Sequence, residues 1–250
     1  MTLDRVFEIR GEDKIGRSRI AVVLVSPESQ ENIGLVARAM KNTGFSELRI
    51  TGISELNEDA FRTAVHSGEI LRSAKFFPTL KEAVADCNLV FGSTARRREK
   101  FQVISLDQAI ETIFRYPPET KIALVFGPER TGLSSEDLEM ANFVYSIPQA
   151  SSQPSYNLAA AVLLTLYQLF IRSAEIINPK EEQPATRADQ EELIQVVLRK
   201  LREAGFINDQ NKAHISNKVH DLFGRMALTD KDRKFLTAIL TRILPYQPND

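Results

Sequence analysis

The run RIAVVLV, Arg19 to Val25, has no polar position after its first residue, and this constrains the architecture more than any other feature of the chain. A strand with one face in water alternates apolar and polar residues, whereas a strand covered on both faces is apolar throughout, as in parallel sheets. Similar runs recur in ELRIT (Glu47 to Thr51), NLVFGST (Asn88 to Thr94), KIALVFG (Lys121 to Gly127) and FVYSIP (Phe143 to Pro148), with a shorter one at Phe76 and Phe77. Helical patterns separate them. Ile33, Val36, Ala37 and Met40 recur at helical spacing before Gly44, a C-terminal cap. Further helices are expected from about Asn57 to Ala74, from Leu80 to Ala85, Leu106 to Phe114, Ser134 to Ala141 and Asn157 to Ile177. The alternation predicts an α/β fold with a mostly parallel sheet covered on both faces.

The segment NPKEEQPATRADQ, Asn178 to Gln190, has two prolines, many charges and no apolar period. It is read as a linker (178–190) between an α/β domain (1–177) and a helical C-terminal domain (191–250), in which Leu193, Val196, Val197 and Leu201 share one helical face. A chain of 250 residues with 43% hydrophobic and 26% charged residues can bury a full core. The net charge of −1 advertises no polyanionic partner, so any nucleic-acid surface must be a local patch. The single cysteine, Cys87, excludes an internal disulfide and a cysteine-cluster metal site, and His66, His214 and His220 show no ligand spacing, so no metal is expected. The opening MTLDRVFEIRGEDK carries charges through any apolar core, so no secretory signal is expected. LAAAVLLTLYQLFI (Leu158 to Ile171) is too short for a membrane span and includes Thr165 and Gln168, so a buried helix and a cytoplasmic protein are expected.

Ligands of open parallel sheets sit beyond the carboxyl ends of the strands. Three loops there are unusual: SPESQENIG after the first strand, GPERTGLSSED from Gly127 to Asp137, and IPQASSQPSYNLAAA from Ile147 to Ala161. Each alone has an ordinary explanation. Gly127 and Gly132 can simply form a turn, Glu129 can be a solvated charge, and Ser155-x-Asn157 is a good helix N-cap. In order, N-I-G-x-x-x-R (Asn32 to Arg38), F-G-P-E-R-x-G-L (Phe126 to Leu133) and S-x-N-L-x-x-A (Ser155 to Ala161) resemble the SPOUT class of RNA methyltransferases, in particular the TrmH family and its TrmJ-like tRNA ribose 2'-O-methyltransferases. The G-S-T-A-R turn at Gly92 to Arg96 and the helical C-terminal extension are similar to the TrmJ branch.

The resemblance implies a SPOUT fold with a C-terminal trefoil knot, a homodimer, and S-adenosylmethionine held in the knot. It implies cofactor contacts from Ser93, Thr94, Ala95, Phe126, Gly127, Glu129, Gly132, Ile147, Gln153, Ser155 and Leu158. It implies a catalytic set of Arg38, Asn32, Ser155 and Asn157, with Arg38 serving the pocket of the other subunit. Since a guanidinium keeps its proton in proteins, positioning and charge stabilisation suit Arg38 better than proton abstraction. The basic run Arg96, Arg97, Arg98 and Lys100 is the expected RNA contact, which Arg115 and Arg130 would extend. The implied substrate is tRNA, at position 32 of the anticodon loop. Ribosomal RNA ribose methylation and a catalytically silent RNA-binding role stay open as alternatives.

Overall fold

The computed structural model describes residues 16–96, 98–150, 155–173 and 182–242. Arg97, Gln153 and part of the expected linker lie outside the described residues. Seven strands form one sheet: β1 (Ile20–Val25), β2 (Glu47–Thr51), β3 (Lys75–Phe77), β4 (Leu89–Ser93), β5 (Val103–Ser105), β6 (Ile122–Phe126) and β7 (Phe143–Ser146). Their order is β3-β2-β1-β6-β4-β7-β5, and every pairing is parallel.

The unbroken apolar run of β1 follows from this position. Ile20, Val22 and Leu24 face one layer, with Ile122, Leu124 and Phe126 of β6, while Val23 and Val25 face the other, with Ala123 and Val125. The first layer is closed by α1 (Gln30–Thr43), α5 (Leu106–Arg115) and α7 (Leu158–Arg172). The second is closed by α4 (Leu80–Ala83) and α6 (Ser135–Glu139). Each fully buried Val, Leu or Ile side chain contributes roughly 1.5–3 kcal/mol, so an alternating sequence at β1 would forfeit one whole layer.

Most elements lie where the apolar pattern places them, and Gly44 ends α1 in the left-handed region at φ 79°. Two differ. The helix expected over Asn57 to Ala74 is broken into α2 (Glu58–Ala64), a 3-10 turn and α3 (Gly68–Arg72), with Val65 at φ 53°. Strand β5 carries no sequence signal, because three half-buried residues at a sheet edge need no apolar run.

The C-terminal helices are α8 (Arg187–Glu203), α9 (Lys212–Gly224) and α10 (Asp230–Arg242). Thr186 caps α8 by accepting from Asp189 N, so Arg187 to Gln190 are helical rather than part of the connection. The helices dock at the amino ends of β4 and β7. Arg187 N donates to Cys87 O at 2.8 Å, Asn88 Nδ2 to Pro184 O at 2.6 Å, and Asn142 Nδ2 to Gly224 O at 3.3 Å.

At this same end of the sheet Arg49, 2% exposed, reaches Asp86 through Nη1 at 2.5 Å and Nη2 at 2.9 Å, and Glu47 through Nε at 3.0 Å. The Arg49 guanidinium holds the Asp86 carboxyl well below its ordinary value. The stabilisation is therefore complete above the unfolded value of about 3.9 and is lost as pH falls from there through the folded value. Asp86→Asn should lower the urea midpoint at neutral pH and flatten its decline below about pH 4. Parallel urea curves for the variant and wild type across that range would contradict the assignment.

Candidate active site at the carboxyl ends of the strands

Four neighbouring strands, β1, β6, β4 and β7, send their carboxyl ends to one side of the sheet. The loops after β4, β6 and β7 line a cavity of about 330 Å³, at the small end of the roughly 300–1,000 Å³ usual for small-molecule sites. Its walls include every expected cofactor contact among the described residues: Ser93, Thr94 and Ala95; Phe126, Gly127, Glu129 and Gly132; Ile147, Ser155 and Leu158.

Gly127 is required by close packing of the loop on itself: a Cβ there would collide with the backbone of Gly132 and Leu133. Gly132 serves a different need, a left-handed φ of 64°.

The three loops are tied together by one hydrogen-bonded chain. Glu129 accepts from Glu28 N at 2.8 Å, from Ser29 N at 3.2 Å and from Asn32 Nδ2 at 2.8 Å. Asn32 Oδ1 accepts from Asn157 Nδ2 at 3.0 Å, and Asn157 Oδ1 caps α7 by accepting from Ala159 N at 2.9 Å. Burial pushes the Glu129 carboxyl upward, but the Asn32 amide and the backbone N–H groups of Glu28 and Ser29 outweigh it and hold the group below its ordinary range. An ionised carboxylate thus lies in the wall at neutral pH. Both ends of the Asn32 and Asn157 amides are engaged in these bonds. Neither lines the cavity.

Ser155 does line the cavity, and its exposed hydroxyl has no hydrogen-bond partner among the described residues. Arg38 is exposed on α1, outside the cavity of its own protomer. Asn32 faces Glu129, and six residues at 100° each carry Arg38 well round the helix from it. Arg96 and Arg98 of the expected RNA patch stand in the cavity wall, while Lys100 is exposed and outside it. Arg98 Nη2 donates to Leu133 O at 2.6 Å, and its buried Nε has no partner among the described residues.

Sequence reasoning missed Gln149, Tyr156 and Ala161 as wall residues. Tyr156 and Ala161 fall inside the S-x-N-L-x-x-A motif at its unspecified or small positions, and Gln149 follows β7 in a loop with no pattern of its own.

Residues 19–167 match the family model described as the SpoU rRNA Methylase family. LasT of Escherichia coli (strain K12), described as an uncharacterized tRNA/rRNA methyltransferase, is 38% identical over 178 residues, covering 70% of this chain and 76% of that protein. The tRNA (cytidine-2'-O-)-methyltransferase TrmJ of Methanocaldococcus jannaschii is 33% identical over 216 residues, covering 83% and 90%. The crystal structure of TrmJ from Z. mobilis ZM4 superposes with a TM-score of 0.76 at 30% identity, over 88% of this chain and 97% of that one. With the family model spanning the whole sheet and its cavity, and similar proteins matching across the C-terminal helices as well, this chain belongs to the SpoU rRNA Methylase family, as a TrmJ-like member.

Proposed function

We propose that this protein transfers a methyl group from S-adenosylmethionine to the 2'-hydroxyl of a ribose in tRNA, at position 32 of the anticodon loop, and that it does so as a cytoplasmic homodimer. The observation that carries the reading is the chain Asn157–Asn32–Glu129, which ties together, through the start of α1, the loops after β6 and β7 that wall the cavity.

The residues present fit the cofactor. Phe126, Ile147 and Leu158 offer apolar walls to a flat ring, the Glu129 carboxylate suits a cationic group, and the positive charge of Arg96 and Arg98 in the wall suits a carboxylate. When bound, S-adenosylmethionine supplies an electrophilic methyl group on a sulfonium. The protein's own tasks are to align a ribose oxygen and to stabilise the charge that grows on it. Ser155 is the hydroxyl left free to meet that oxygen, while Asn32 and Asn157 hold its loop against α1. The trefoil crossing belongs to the same reading: the loop after β6 and the segment leading into α7 wall a single cavity, as a chain passed through its own loop would produce.

Two observations support the homodimer. Helices α1 and α7 pack together, and both leave large apolar side chains exposed: Leu35 on α1, and Leu163, Tyr167 and Ile171 spaced along α7. Arg38 follows Leu35 by three residues and so shares its helix face, which suits delivery to a partner's cavity.

Relatives named TrmJ support tRNA as the substrate; the family's own description favours ribosomal RNA as the second reading. Titrating S-adenosylmethionine into the protein should give saturable binding, with labelled methyl incorporated into bulk tRNA; no binding would overturn the reading. Arg96→Ala with Lys100→Ala should weaken tRNA binding and reduce the slope of log affinity against log salt by about 1 for each phosphate no longer neutralised. An unchanged slope would return both side chains to a merely solvated face.

A further inference from the structure

Among the described residues, Tyr156 is the one exposed large apolar side chain that also lines the cavity. It stands between Ser155, whose free hydroxyl faces that space, and Asn157, which ties α7 to α1. Its ring is 41% exposed, while its hydroxyl donates to Pro148 O at 3.0 Å. An aromatic ring left in water at a cavity mouth loses the burial that would stabilise it elsewhere, and a hydroxyl anchored to the backbone fixes the ring's direction before any ligand arrives. The hydroxyl is also unavailable to read the edge of a base.

We propose that Tyr156 is the platform on which the base of the target nucleotide stacks, setting the ribose between Ser155 and the transferred methyl group. The proposal rests on the function proposed above and deepens it by assigning the nucleobase a place. Stacking on an aromatic face discriminates little between bases, because every base has such a face. The platform by itself therefore predicts little discrimination between the bases at the target.

The rival role for Tyr156 is structural: its hydroxyl, bonded to Pro148 O, would pin the loop that enters α7. A cycle combining protein variants with an abasic substrate separates the two. Wild type, Tyr156→Ala and Tyr156→Phe are assayed on an intact anticodon stem-loop and on the same RNA lacking only the base of the methylated nucleotide, with S-adenosylmethionine affinity measured in parallel. On intact RNA, Tyr156→Ala lowers kcat/KM on the order of 10- to 100-fold, and Tyr156→Phe, which keeps the ring, stays within about threefold of wild type. On abasic RNA, wild type has already lost a comparable factor and Tyr156→Ala costs less than about twofold more. Because Tyr156 shares the cavity wall, kcat/KM for RNA is taken at S-adenosylmethionine concentrations that saturate each variant, so that any change in cofactor affinity stays out of the comparison. Equal losses for Tyr156→Ala on intact and abasic RNA would overturn the proposal, as would Phe falling as far as Ala. If the wild type methylates no intact RNA, the proposed function itself fails and the platform with it.

Discussion

Replacing Arg38 by alanine is expected to lower kcat for methyl transfer to tRNA on the order of 10²- to 10³-fold, with S-adenosylmethionine affinity within about twofold of wild type. The size follows from the reaction. A ribose hydroxyl is a poor nucleophile until negative charge develops on its oxygen, and a permanent cation placed there acts mainly in the transition state. The unchanged affinity follows from position, because Arg38 lies outside the cavity of its own protomer and none of the loop-tying hydrogen bonds uses it. Arg38→Lys should recover only part of the rate, since an ammonium keeps the charge but loses the planar fork of donors. A variant with ordinary turnover would remove Arg38 from the mechanism.

Gly127→Ala should have a comparably large effect by the opposite route, abolishing cofactor binding at concentrations that saturate the wild type. The added methyl would collide with the backbone of Gly132 and Leu133, and backbone cannot swing aside as a flexible side chain can. The loop must open, which displaces Glu129 and Phe126 from the wall together. Because Leu133 at the end of that loop is packed into the second layer, circular dichroism must show that the variant still folds before its lost binding is read as a loss of the site. Normal affinity in Gly127→Ala would show that the cavity is not where the cofactor binds. The two variants also test each other. In a dimer with composite sites, a mixed pair of Arg38→Ala and Gly127→Ala protomers keeps one intact site, so random mixing should restore about a quarter of wild-type activity. A mixture as inactive as its parents would place Arg38 in the site of its own chain.

The sheet was legible because its central strands are buried on both faces, and no polar residue is tolerated along β1 or in the interior of β6. That the expected cofactor residues would line one cavity was legible because they sit in loops whose composition departs from ordinary turns. Other features are silent in a linear pattern for physical reasons. Strand β5 is an edge strand of three residues. The break at Val65 places a β-branched residue at positive φ, which local preference disfavours and which only the packing around it can impose. The partnership of Asn32 with Glu129 spans 97 residues, so sequence marks Asn32 as functional without revealing that its amide is wholly occupied in holding loops together. The C-terminal helices dock partly through backbone N–H groups of Arg187 and Ala188 and partly through the Asn88 and Asn142 amides, whose partners are backbone carbonyls 96 and 82 residues away that no local pattern reveals.

The most direct test of the account is to incubate the protein with S-adenosylmethionine and, separately, total tRNA and ribosomal RNA, then to locate the new methyl group by nucleoside mass spectrometry and mapping. A 2'-O-methylated pyrimidine at position 32 of tRNA is the expected product. Methyl groups on base atoms, or on ribosomal RNA alone, would contradict it.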